Sequence, residues 1–164
     1  MPSARIDACA VAVAATGPLL TPIAAAVLNL PSGMVVGWAM QSTMHADLVL
    51  RALMMAVWRR KPPAELLVHS GQGTQFTGHD WQDFLKAHGL VSSMSRRHTC
   101  HDNAVAESFF QLLKREHIKR RIYVAREEAK SDVFNYIETF YNTRRQHGHN
   151  NGLSPVELEK QQSK

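Results

Sequence analysis

The chain has 164 residues and carries 19 Lys and Arg against 14 Asp and Glu, a formal net charge of +5. This length suits one domain with a core, and a hydrophobic fraction of 45% is ordinary for a globular chain. The widely spaced Cys9 and Cys100 argue against a disulfide framework or a zinc site, and Pro18 and Pro22 interrupt the apolar amino-terminal stretch too early for a membrane span.

The amino-terminal third predicts a hairpin followed by a helix. Residues 1–17 show no hydrophobic period, and we expect them to be irregular. Residues 23–30 and 34–40 are apolar runs on either side of a Pro-Ser-Gly turn, which predicts two antiparallel strands. Residues 46–58 have apolar side chains at helical spacing and are followed by two prolines, which end a helix.

The rest of the chain alternates predicted strands and helices. Residues 66–68 and 90–94 have the composition of short core strands, and residues 81–88 between them predict a helix. Further helices are predicted from about residue 103 to 121, over 126–141 and over 155–160. Strands that alternate with helices in this way imply an α/β layered domain.

Positive charge is concentrated in one part of the chain. Residues 96–126 hold eight Lys or Arg and three acids, whereas the charges of the remaining residues balance. A basic stripe of this kind is typical of a surface that binds a nucleic-acid backbone. A solvated helix face is the alternative interpretation.

Several motifs occur in a fixed order. They are His-Ser-Gly-Gln-Gly at 69–73, Cys-His-Asp-Asn-Ala-Val-Ala-Glu-Ser at 100–108, Val-Val-Gly-Trp at 35–38, Tyr-Asn-x-x-Arg-x-His at 141–147 and Leu-Ser-Pro at 153–155. Together they resemble the catalytic core of a DDE transposase of the insertion-sequence OrfB type, related to retroviral integrases. The resemblance implies an RNase H-like fold, with a central mixed sheet flanked by helices. Only two of the three strands of its opening meander can be placed from the sequence.

The resemblance also implies metal-dependent cleavage and transfer of DNA strands, with Mg²⁺ or Mn²⁺ held by three carboxylates. These carboxylates come from the first strand, from the end of the central strand and from a helix beside them. Glu107 matches the helix carboxylate, whereas Gly71 replaces the second one and Asn29 the first. Glycine offers no ligand and the asparagine amide is uncharged, so we expect this copy to be catalytically impaired.

Each of these positions also has a purely structural interpretation. Glu107 fits a surface glutamate that pairs with Lys114 or Gln111 along one helix face. Gly71 fits a turn that needs a positive φ, and Asn29 fits the end of a strand.

The resemblance assigns DNA contacts to side chains on the Glu107 helix, just before it, and in the Tyr-Asn motif. The residues concerned are Asn103, Lys114, Arg96, Arg97, Arg144 and Arg145. For the arginine pairs, solvated side chains without a ligand are the alternative.

The resemblance is nearly gapless over residues 33–159, weakens over 18–32 and is lost over 1–17. We therefore divide the chain into an irregular segment at 1–17, an integrase core-like domain at 18–145 and a tail with a short helix at 146–164. From the resemblance, we do not expect this chain to contain the helix-turn-helix region with which such transposases recognise element ends. The start of the chain is therefore expected to be that of a truncated, degenerate copy, read out of frame from a decayed element.

Three functions remain open. The first is an impaired transposase core, the second a non-catalytic DNA-binding or regulatory remnant that associates with an intact transposase, and the third a pseudogene product without a role. The expected partners are DNA and a second copy or a full-length transposase in a mixed complex. No membrane partner is expected, and the expected location is the bacterial cytoplasm, at the nucleoid.

Overall fold

The computed structural model describes residues 8–15, 23–41, 46–61, 65–70, 76, 78–94, 104–116 and 126–162. The regular elements are β1 (Ala8–Ala15), β2 (Ile23–Asn29), β3 (Val35–Gln41), α1 (Ala46–Arg60), β4 (Leu67–Ser70), α2 (His79–Ala87), β5 (Val91–Met94), α3 (Ala104–Glu116), α4 (Arg126–Asn135) and α5 (Pro155–Gln162). A π-helical turn, Tyr136–Tyr141, continues α4. Gly71, Arg96, Arg97, Asn103 and the predicted helical residues 117–121 lie outside the described residues.

The five strands form one mixed sheet in the order β3-β2-β1-β4-β5. β1, β2 and β3 form an antiparallel meander, whereas β4 pairs parallel to both β1 and β5. The predicted mixed sheet flanked by helices is therefore confirmed.

The central strand, β1, is the main correction to the sequence analysis. An irregular segment is expected over residues 1–17, but Ala8–Ala15 forms the strand that joins the meander to the parallel half of the sheet. Cys9 and Val11 lie in the core on one face of the sheet, and Ala10 and Ala12 lie in the core on the other. Because both faces are buried, the strand lacks the polar alternation by which half-buried strands are recognised.

The sheet separates two hydrophobic cores. The first lies beneath α1 and α2 and includes Leu53 and Trp81, and the second lies beneath α3 and the π-helical turn and includes Phe109 and Tyr141. Odd-numbered residues of β1 and β2 enter the first core and even-numbered ones enter the second. The face of any side chain on these strands therefore follows from its number.

Two glycines fix the hairpin and the position of α1. Gly33 adopts a φ of 73° in the turn, a conformation that favours glycine. On β3, a Cβ added to Gly37 would lie 2.1 Å from the backbone oxygen of Ala52 and 2.9 Å from the backbone nitrogen of Ala56. The glycine of the Val-Val-Gly-Trp motif is thus the contact point at which α1 packs directly on the sheet.

The predicted helix over 126–141 is present, but its last six residues form the π-helical turn. This turn buries Tyr136, Ile137 and Tyr141 against the sheet. Among the described helices, none combines the length and the apolar character needed to cross a bilayer.

Candidate functional site

The carboxyl end of β4 leads to the position of Gly71. His69 is half-buried and Ser70 is buried at the end of this strand. Gly71 follows directly in the chain and has no side-chain ligand.

β1 runs parallel to β4 at the same edge. Ala8, Cys9 and Ala10 pair with Leu67, Val68 and His69, so both strands run in the same direction towards the carboxyl end of β4. The β1 side chains that face α3 here are Ala10 and Ala12, both buried. No residue of β1 carries a carboxylate.

Glu107 lies in the first turn of α3, directly after the buried Ala106. Its side chain is exposed, as is that of Gln111 one turn later, and Lys114 on the same helix face is half-buried. Since α3 packs against β1 and β2, Glu107 belongs to the face of the sheet that Ala10 and Ala12 share. The predicted polar face of this helix is therefore present in its described part.

Asn29 lies elsewhere. It pairs with Cys9 in the antiparallel register, and Cys9 belongs to the core beneath α1 and α2. Paired residues of neighbouring strands point to the same face of a sheet, so the Asn29 side chain points away from α3. It donates from Nδ2 to Ser32 Oγ at 3.0 Å and to Glu159 Oε1 at 2.8 Å.

The placement of Asn29 corrects the sequence analysis. The family's first carboxylate belongs to the first strand, and Asn29 matches that position only if residues 23–30 are the first strand. In the structure the first described strand is β1, and Asn29 ends the second. Asn29 and Glu107 are therefore separated by the sheet and cannot hold one metal ion together.

The described residues do not supply the ligands for a pair of divalent cations. Mg²⁺ is held in proteins mainly by carboxylate oxygens. Within the described ranges, no group of three or more His, Cys, Asp or Glu side chains could hold a metal ion. Glu107 is the only one of the three predicted ligand positions that bears a carboxylate.

The two arginines of the Tyr-Asn motif have different environments. Arg144 is exposed to solvent. Arg145 instead forms an internal ion pair, with Nε 2.9 Å from Glu116 Oε1 and Nη2 2.9 Å from Glu116 Oε2. Its side chain is only 20% exposed, so the structure does not present it to a ligand as the sequence analysis expected.

The ion pair is fixed in its charged form. The hydrogen bond from Arg145 holds the pKa of the Glu116 carboxyl below its ordinary value. Burial, and then the hydrogen bond to Glu116, raise the pKa of the Tyr136 hydroxyl, which donates to Glu116 Oε1 at 2.9 Å. Glu116 therefore accepts from two donors as a carboxylate.

Sequence reasoning missed that polar residues of the carboxyl-terminal segment bind the hairpin. Asn142 Oδ1 accepts from the Val35 backbone nitrogen, and Asn142 Nδ2 donates to the Val35 backbone oxygen, both at 2.9 Å. Asn150 Nδ2 donates to the Ser32 backbone oxygen at 2.9 Å. The Tyr-Asn motif was the one sequence signal for these contacts. Its arginines, however, suggested only the binding of a ligand from outside the chain.

Two family models match the chain. Both are described as integrase core domain, and they match residues 5–100 and residues 107–162. The first match begins within residues 1–17, where the resemblance read from the sequence is lost.

Curated relatives are transposases of insertion sequences. The chain is 46% identical over 137 residues to the transposase InsF for insertion sequence IS3fB of Escherichia coli strain K12, covering 84% of this chain and 48% of the relative. It is 42% identical over 129 residues to the transposase for insertion sequence element IS904 of Lactococcus lactis, covering 79% of this chain and 51% of the relative. The chain thus spans about half the length of the curated relatives it matches.

Solved structures share the fold at low identity. The catalytic core domain of BIV integrase aligns with a TM-score of 0.70 at 18% identity, over 96% of both chains. A simian T-cell lymphotropic virus intasome chain gives 0.76 at 11% identity, over 94% of this chain and 54% of that one. The HTLV-2 integrase catalytic core in complex with magnesium gives 0.71 at 11% identity, over 94% and 97%. The chain therefore belongs to the integrase core domain family, as the catalytic core of a DDE transposase of an insertion sequence.

Proposed function

We propose that this chain is a DNA-binding integrase core whose metal-dependent strand cleavage and transfer are impaired. The observation that carries the proposal is the pair Ala10 and Ala12 on β1, which face α3 beside the end of β4. We assign the family's first-strand carboxylate to one of these two positions. With Gly71 at the second position, neither of the other two family positions offers Glu107 a companion carboxylate.

A single carboxylate is a poor site for two cations. Each Mg²⁺ usually needs one or two carboxylates besides phosphate oxygens and water. Two ions about 3.5–4 Å apart, each a double charge, would repel one another strongly without that negative charge. Integrase cores generally depend on divalent metals, and the described residues of this chain do not supply the donors.

DNA binding has better support than catalysis. Lys114 and Arg115 lie on α3, and Arg144 is exposed on the segment that packs beside it. Cationic side chains bind phosphates without any metal, and such binding weakens steeply as salt concentration rises. Proteins of this family act on DNA, which is the expected partner here.

A strand-transfer assay tests the impairment. The chain would be given pre-cut element-end DNA with Mg²⁺ or Mn²⁺, and we expect no joined product. Robust product that disappears in Glu107→Ala would contradict the proposal.

Restoring carboxylates tests where the missing ligands belong. We expect Ala10→Asp or Ala12→Asp, each combined with Gly71→Asp, to recover strand transfer, because these positions share the Glu107 face of the sheet. The matched control is Asn29→Asp with Gly71→Asp, which we expect to stay inactive. Circular dichroism identifies the variants that fold. Activity in the Asn29 variant, or inactivity of both folded β1 variants, would overturn the assignment.

A regulatory remnant is the second candidate function. The complete five-stranded sheet favours a folded protein over a product without a role. Such a chain would join a full-length transposase, or a second copy of itself, at the nucleoid in the bacterial cytoplasm. Reduced transposition on co-expression with an intact element would support this role, whereas failure to bind DNA at any salt concentration would leave a pseudogene product.

A further inference from the structure

The described end of α3 is held by apolar packing and by polar contacts. Ala106, Phe109 and Leu113 pack in the core, and Leu113 is the last buried residue of the described helix. Lys114 follows directly and is half-buried. Beyond Leu113, the described end of α3 is attached to the domain through the polar contacts of Glu116.

Glu116 makes these contacts. It accepts two hydrogen bonds from Arg145 in a bidentate arrangement and a third from the Tyr136 hydroxyl, each at 2.9 Å. Arg145 Nη1 also donates to the Gln146 backbone oxygen at 3.1 Å, so all three guanidinium nitrogens donate within the chain. A planar fork of this kind fixes orientation as well as distance, which a lysine ammonium does not.

We propose that Arg145 is a positioning residue that fixes the last turn of α3 through Glu116 and thereby sets the direction in which Lys114 reaches the DNA backbone. The inference rests on the proposed DNA-binding function. Arg144, the preceding residue in the chain, is exposed and serves as the matched control for a direct phosphate contact.

For the variant Glu116→Gln, a pure charge effect and a positioning effect predict opposite changes in DNA affinity. Loss of one negative charge strengthens DNA binding if charge alone matters. The amide cannot accept the complete Arg145 fork, so positioning predicts about 3- to 10-fold weaker binding instead. Fluorescence anisotropy with a generic duplex oligonucleotide measures the effect, and tighter binding than wild type would overturn the inference.

Arg145→Lys separates positioning from a phosphate contact. The variant keeps the charge but loses the fork, so we expect about 3- to 10-fold weaker binding with an unchanged dependence of log K on log salt. Arg144→Ala should instead lower that slope by about 0.9, the value for one lost phosphate contact. A lower slope in Arg145→Lys, or binding equal to wild type, would contradict the proposal.

Hydrogen exchange of the free protein tests, without DNA, whether the contact between Arg145 and Glu116 orders the last turn of α3. We expect the backbone amides of the last turn of α3 to exchange faster in Arg145→Lys and Glu116→Gln than in wild type, while Arg144→Ala leaves them unchanged. Equal exchange in all four proteins would overturn the inference. Failure of the wild type to bind DNA would instead contradict the proposed function. The exchange pattern would still decide whether Arg145 positions the end of α3.

Discussion

At the scale of single residues, the hydrogen-bond partners of Asn29 favour an uncharged side chain at position 29. Its amide lies within hydrogen-bond distance of Glu159 Oε1, and Glu159 Oε2 is 2.6 Å from Arg60 Nη2. Asn29 is buried and Glu159 is 8% exposed. The negative charge of Glu159 and the positive charge of Arg60 already compensate each other in this cluster. A neutral hydrogen-bond donor is therefore favoured at position 29.

Asn29→Asp should therefore destabilise the fold. The new carboxylate would face Glu159 without a hydrogen between them, at a cost of about 2–3 kcal/mol of unfolding free energy near neutral pH. Repulsion raises the pKa of the new carboxyl in the folded state, so the penalty should shrink as the pH falls towards about 4 and the group is protonated. Urea unfolding at several pH values measures the effect.

The double variant Asn29→Asp with Glu159→Gln is the control. The glutamine amide would donate to the new carboxylate at position 29 while its oxygen accepts from Arg60, so most of the lost stability should return. Similar stability of the single and double variants would show that the carboxylate pair is not the cause.

At the scale of elements, the contact between α1 and β3 has little room. Gly37→Ala would place its Cβ 2.1 Å from the backbone oxygen of Ala52, and backbone cannot move aside as a side chain can. We expect a loss of about 2–3 kcal/mol in unfolding free energy. Gly148→Ala is the matched control, because an added Cβ there has nothing within 4 Å, and its effect should stay within about 0.5 kcal/mol. Equal effects of both substitutions in chemical denaturation would refute this packing.

At the scale of the whole molecule, the carboxyl-terminal segment closes the fold around the hairpin. Ser154 and Glu157 cap the start of α5 reciprocally, from the Ser154 backbone nitrogen to Glu157 Oε2 and from the Glu157 backbone nitrogen to Ser154 Oγ. Glu159 on this helix then reaches Asn29 and Ser32. The Leu-Ser-Pro motif thus starts the helix that covers the turn between β2 and β3.

Removal of residues 147–164 should therefore destabilise the whole domain. It deletes the buried His147, Asn150 and Glu159, whose hydrogen bonds contribute about 1 kcal/mol each. We expect the thermal midpoint to fall by about 10 °C, or cooperative unfolding to be lost. A chain shortened only by residues 161–164, of which Gln161 and Gln162 are exposed, is the control. An unchanged midpoint in the longer truncation would favour the tail boundary that we predicted at residue 146.

The sequence by itself determined the family, most of the helices and the hairpin, because these depend on local patterns. The prolines after α1, the Pro-Ser-Gly turn and the spacing of Gly71 from Glu107 are all visible in the chain. The glycine at position 71, where the resemblance implies a carboxylate, was equally visible, because side-chain chemistry is read directly from the sequence.

Only the tertiary structure decided which residues share a face. β1 could not be recognised locally, because its alternate side chains enter two different cores and neither set is polar. With β1 as the first strand of the sheet, the Asn29 side chain lies on the opposite face from Glu107. Ala10 and Ala12 are then the residues beside β4. Arg145 likewise turns inward because Glu116, 29 positions away in the chain, lies beside it in the fold. Contacts between distant segments decide such placements, and no local pattern in the sequence records them.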